Sequence, residues 1–228
     1  MFSVQRGVQT VLRPALRQVA LTSSRGLASS IDVSKMEIHK TSAPKTHTAY
    51  ADLQFGVTFS DHMLEVDWDE KTGWANPVIK PYGNFSISPA ASCFHYGIEC
   101  FEGMKAYKDA DGKIRMFRPD KNMARMNNSM QRLCLPGFNG EGLTECIKEL
   151  LKLDESWVPN KDGYSMYIRP TAIGLAKSLG VAKSTSCKIY VIMSPVGPYY
   201  KSGFKPIRLL ANTKDVRAWP GGVGNAKL

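Results

Sequence analysis

The residues best suited to chemistry stand at the end of the chain, in "RAWPGGVGNAKL". Gly221, Gly222 and Gly224 precede a single lysine, Lys227. A lysine amine held where its ammonium loses water can shed its proton and act as a nucleophile. Two phosphate-binding readings of this loop fail. A P-loop has Gly directly before its Lys and Ser or Thr directly after, whereas Ala226 and Leu228 flank Lys227. A dinucleotide fingerprint using Gly222 and Gly224 needs a third glycine at position 227 and a helix beyond it. Taken alone, these residues fit a solvated surface lysine better than a nucleophile. A second arrangement lies in "SMYIRP". Strand alternation there puts Tyr167 and Arg169 on one face and Met166 and Ile168 on the other. An exposed strand face has the same pattern.

Other chemistries have little support. The five cysteines (Cys93, Cys100, Cys134, Cys146 and Cys187) form no CxxC pair, and the four histidines are scattered. That spacing argues against a metal centre and for reduced structural thiols. The lysines and arginines lack the aromatic-interleaved basic stripe of a nucleic-acid binder. The longest apolar run, residues 189–193, is too short to span a bilayer. Neither nucleic acid nor membrane is therefore expected as a partner.

The first thirty residues differ in kind. They hold Arg6, Arg13, Arg17 and Arg25 and no acid, with Val8, Val11, Leu12 and Leu16 at helical spacing. This reads as a mitochondrial transit peptide over residues 1–27, with the matrix as destination. Removing its arginines brings the formal charge from +10 to +6.

These groups must be positioned by folded elements, and a composition of 43% hydrophobic and 22% charged residues is that of a globular chain. Residues 28–50 read as a polar linker. Leu64, Val66 and Trp68 alternate with Glu65 and Asp67 as in a half-buried strand. "CFHYGIECFEG" reads as a short helix closed by Gly103, and "GMKAYKDADGKIRMF" as a hairpin around an Asp-Gly turn. Pro119 suits the first turn of a helix striped by Met123, Met126, Met130 and Leu133. Leu143, Ile147, Leu150 and Leu151 stripe a second helix. "SMYIRP", "KIYVIMSPVG" and "PIRLLAN" read as three strands, the middle one buried on both faces. Strands, then helices, then strands predict an α+β fold.

Set in order, "SDHMLEVDW", "HYGIECFEGMKAYK", "MFRPDKNMARM", "RLCLPGF", "WVP", "SMYIRP", "SPVGPYY" and "RAWPGGVGNAKL" resemble the branched-chain amino-acid aminotransferases of mitochondrial eukaryotic type. The resemblance runs from about Gln54 to Leu228. It implies a fold-type IV pyridoxal 5'-phosphate enzyme, homodimeric in its full-length form. Residues 51–201 would be the small N-terminal domain. Residues 202–228 would be the interdomain linker and the start of the large cofactor-binding domain.

By the same resemblance, Lys227 matches the Schiff-base lysine and Arg125 the arginine that pairs with the cofactor phosphate. Arg169 and Tyr167 match the substrate-facing pair. Phe55, Tyr96, Phe101 and Tyr199 match the lining of the aliphatic side-chain pocket, with Tyr96 reaching into the partner subunit's site. The implied reaction moves the amino group of L-leucine, L-isoleucine or L-valine to 2-oxoglutarate, yielding glutamate and a branched 2-oxo acid. Many relatives have Tyr where this chain has Ala226. With Lys227 so near the end of the chain, the expectation is a fragment that lacks part of the cofactor site and does not turn over substrate alone. Two other readings stay open: a non-catalytic chain that pairs with full-length subunits, and a related fold-type IV enzyme such as a D-amino-acid transaminase or aminodeoxychorismate lyase.

Overall fold

The computed structural model describes residues 30–200, 205–216 and 218–228. The expected transit peptide lies outside the described residues. Among the described residues, nine strands form one mixed sheet: β1 (Glu37–Ile38), β2 (His62–Asp69), β3 (Gly73–Trp74), β4 (Val78–Pro81), β5 (Glu99–Phe101), β6 (Met104–Lys108), β7 (Ile114–Met116), β8 (Ser165–Gly174) and β9 (Ser186–Val196). The order is β1-β4-β2-β9-β8-β6-β7, with β3 on β2 and β5 on β8. Three α-helices of the described residues join them: α1 (Ser92–Tyr96), α2 (Pro119–Arg132) and α3 (Gly140–Leu153). The fold is α+β, and among the described residues no helix is long and apolar enough to cross a membrane.

Period-2 alternation decides the two faces of this sheet. Leu64 and Val66 of β2 pair with Val191 and Ile189 of β9, and Ile168 of β8 lies between Met193 and Met104. All seven are buried in one core with Met123, Met126 and Met130 of α2 and Leu143, Ile147 and Leu150 of α3. Each such side chain contributes about 1.5–3 kcal/mol when removed from water. Pro119 occupies the start of α2, where its missing N–H costs nothing. The Asn139 side chain accepts from the Glu141 N–H and caps α3.

Four segments depart from the sequence reading. Residues 28–50, expected as a linker, supply β1, which pairs parallel with β4. They also supply Ile31, buried in the core against α3. The helix expected to run to Gly103 stops at Gly97, whose φ of 59° takes the left-handed position that glycine tolerates. Residues 99–101 then join β8 as β5. β9 is not buried on both faces, since Lys188, Tyr190 and Ile192 are only half-buried. "PIRLLAN" forms no strand. Ile207, Leu209 and Leu210 are exposed, and among the described residues no strand pairs with them.

β5 and β6 share one register on β8. Phe101 faces Thr171 and Met104 faces Ile168, so Glu102 and Gly103 lie opposite Pro170 and Arg169. Glu102 donates its N–H to the Pro170 carbonyl at 2.8 Å. Pro170 has no N–H to return, which interrupts the ladder at this point.

Candidate functional site

Alternation through this interruption sends neighbouring side chains to opposite sides of the sheet. Phe101 points to the face away from the helices, the face that also carries Tyr167 and Arg169. Glu102 points the other way, toward α2, and is fully buried.

The segment ending at Lys227 docks where β5 meets α2. Ser129, buried on α2, accepts the Lys227 N–H at 2.9 Å through its Oγ. The Lys227 carbonyl accepts the Phe101 N–H at 3.2 Å. Asn128 donates its Nδ2 to the Asn225 carbonyl at 3.3 Å. The lysine is therefore fixed at both of its backbone polar groups. Its amine lies 4.5 Å from the centre of the Phe101 ring. The Arg169 guanidinium lies 4.3 Å from the same ring. A cation over an aromatic face is held electrostatically, so Phe101 carries both cationic groups.

Arg169 also donates to the Tyr167 Oη, from Nε at 3.1 Å and from Nη2 at 2.8 Å. The Tyr167 ring packs on Phe55 at 4.8 Å, and Phe55 meets Tyr199 edge-on at 5.3 Å. This aromatic group is well exposed, with Tyr199 at 68% and Phe55 at 43%. Gly103 permits the Tyr167 position. A Cβ there would lie 3.1 Å from Cζ, and closer still to Oη.

Arg125 stands one helical turn before Ser129 on α2. Its Nε and Nη2 donate to the two carboxylate oxygens of Glu102, at 2.5 and 2.7 Å. Asn122 adds a bond to Glu102 Oε2 at 2.8 Å. Burial pushes the Glu102 carboxyl up. The bonds from Arg125 and Asn122 and the guanidinium charge outweigh burial and hold it below its ordinary value. The Arg125 side chain is 51% exposed, and among the described residues its Nη1 has no hydrogen-bond partner.

Six of the seven non-lysine positions singled out in the sequence thus adjoin the Lys227 segment, directly or through Phe101, Tyr167 and α2. Tyr96 does not. Its hydroxyl donates to the Leu179 carbonyl, and its ring neighbour is His95. Sequence reasoning missed Glu102, Asn122, Asn128 and Ser129. One signal was present: Arg125 and Ser129 are four apart on one helix and so share a face. Glu102 carried none, because the segment around it reads as a helix.

The amino-transferase class IV family pattern matches residues 99–222. A branched-chain-amino-acid aminotransferase of Dictyostelium discoideum is 54% identical over 199 residues, covering 87% of this chain and 53% of that protein. The mitochondrial and cytosolic enzymes of that name from Saccharomyces cerevisiae are 52% and 51% identical, each over 87% of this chain and 50% and 53% of their own lengths. The chain thus spans about half the length of these curated relatives. Among solved structures, a T.th. branched-chain amino acid aminotransferase with pyridoxamine 5'-phosphate aligns at 28% identity. It covers 59% of this chain and 40% of that one, with a TM-score of 0.45.

Proposed function

This chain belongs to the class IV aminotransferases, and on that premise we propose that it carries the lysine and the phosphate-binding arm of a pyridoxal 5'-phosphate transaminase for branched-chain amino acids. One observation carries the reading: the Lys227 amine sits over Phe101 while its backbone is pinned to the helix that presents Arg125. The donor set fits the cofactor. A half-exposed guanidinium with an unused edge suits a phosphate, because charge-assisted N–H donors grip its oxygens in parallel. A lysine fixed at both of its backbone polar groups presents its amine from one place, as attachment to a carbonyl group needs.

When bound, pyridoxal 5'-phosphate supplies that carbonyl and a ring that accepts electrons from the substrate's α-carbon. The chain's own residues do the rest. Arg125 would hold the phosphate through its exposed guanidinium edge. Lys227 would hold the group through its amine and, when that amine is free, would move the proton at the substrate's α-carbon. Arg169, with Tyr167 fixed beside it, holds a carboxylate of the 2-oxoglutarate or glutamate partner. Phe55, Phe101 and Tyr199 would offer apolar ring faces to the aliphatic side chain of L-leucine, L-isoleucine or L-valine. One methylene among these substrates is worth about 1–3 kcal/mol in such a pocket, so discrimination is modest. The homodimeric reading is supported by exposed Phe94 and Tyr96 on α1 and by exposed Leu179, whose carbonyl takes the Tyr96 hydroxyl. The mitochondrial reading rests on the acid-free, Arg-rich residues 1–27. The yeast relatives include both a mitochondrial and a cytosolic enzyme.

The test is covalent trapping. The chain is incubated with pyridoxal 5'-phosphate, reduced with borohydride and mapped by peptide mass spectrometry. Label confined to Lys227, and absent from Lys227→Ala, is expected. Label spread over surface lysines in proportion to exposure would defeat the assignment.

A further inference from the structure

We infer that Glu102 is a positioning residue: it fixes the Arg125 guanidinium side-on so that the remaining edge is presented to a phosphate. This rests on the reading of Arg125 given above. Three observations support it. Glu102 is a fully buried carboxylate, a costly placement unless its oxygens are bonded to a charge partner. Every partner it has serves one orientation. Arg125 Nε and Nη2 chelate it, Asn122 Nδ2 braces Oε2, and the Gly103 N–H reaches Oε2 at 3.2 Å. Arg125 is otherwise half-exposed on a helix surface, where an unpaired long side chain would sample many rotamers.

The strand geometry gives this pair its purpose. Phe101 and Glu102 are consecutive, so one short strand puts a ring under the lysine amine on one side and a carboxylate behind the guanidinium on the other. A planar guanidinium has two usable edges. The Nε–Nη2 edge is taken by Glu102, and the Nη1 side is left for the ligand.

The test compares pyridoxal 5'-phosphate with pyridoxal, which lacks the phosphate, by titrating each into the full 228-residue chain. The readout is the ratio of the two affinities, because a general structural defect weakens both alike. Wild type is expected to prefer the phosphate form, and Arg125→Ala to abolish the preference. Glu102→Gln is expected to lower it about tenfold and to have no further effect in the Arg125→Ala background. Asn122→Ala, which leaves the ion pair in place, is expected to lower the ratio by a smaller factor. It decides the matter by the same readout if Glu102→Gln does not fold. A wild-type chain without phosphate preference overturns the reading of Arg125 itself. A preserved wild-type preference that is unchanged or stronger in folded Glu102→Gln overturns only the positioning role, since Glu102 would then be inert or a competitor for the guanidinium.

Discussion

Gly103→Ala gives the sharpest check on the site's geometry. The new Cβ would lie 3.1 Å from Tyr167 Cζ and 3.2 Å from Cε2, and nearer still to Oη. Restoring ordinary van der Waals contact requires the hydroxyl to retreat by about 1 Å. The ring is not free to do so. Phe55 packs against it at 4.8 Å, and Arg169 holds its oxygen with two bonds. Overpacking of this kind costs about 1–3 kcal/mol. For a chain of this size, each kcal/mol lowers Tm by about 2–4 °C. Thermal unfolding followed by circular dichroism should therefore show a drop in Gly103→Ala. The same substitution should cost much less in Tyr167→Phe, where the atom that meets Cβ first is gone. The coupling between the two changes isolates this one contact. An equal cost in both backgrounds, or none in either, would refute the placement of Tyr167 over Gly103.

Further outcomes follow from the same geometry. Ser129→Ala removes the acceptor of the Lys227 N–H, so amide exchange at Lys227 should quicken about tenfold while the global urea midpoint moves little. Glu102 has a lowered pKa in the fold, so its contribution is present above the unfolded carboxylate value and is lost as pH falls through the folded one. Urea titrations from pH 7 toward pH 3 should accordingly be flatter for Glu102→Gln than for wild type, which starts more stable. Burial pushes the Cys100 and Cys146 thiols up to about 12, and raises that of Cys187 further. A thiol reagent at pH 8 should therefore modify exposed Cys134 first and reach these three only on unfolding.

Local periodicity made much of this fold readable. The methionine stripe of α2, the leucine stripe of α3, the β6–β7 hairpin and the one-face placement of Tyr167 and Arg169 all follow from spacing within a few residues. Features set by distant partners were not readable. β5 is a strand because Thr171 to Ile173 lie beside it, some seventy residues later. The helix before it is cut short by Gly97 rather than Gly103 for the same reason. "PIRLLAN" has the composition of a strand but gains no neighbour to pair with. The site divides in the same way. Lys227 stood out by residue type and by resemblance, and Arg125 by resemblance. Glu102 and Ser129 act through contacts with residues 23 and 98 positions away, which no window of sequence contains.

The docking of Lys227 on β5 also bears on how this chain behaves among its neighbours. β8 occupies one side of β5, and β7 covers β6 without reaching β5. The outward N–H of Phe101 is thus an open sheet edge, the kind of template on which a second chain can add a strand and begin an aggregate. Here the Lys227 carbonyl occupies it. The hydrogen bond that places the lysine therefore also guards an exposed edge, so variants that loosen the glycine-rich loop should lose solubility along with the geometry of the amine.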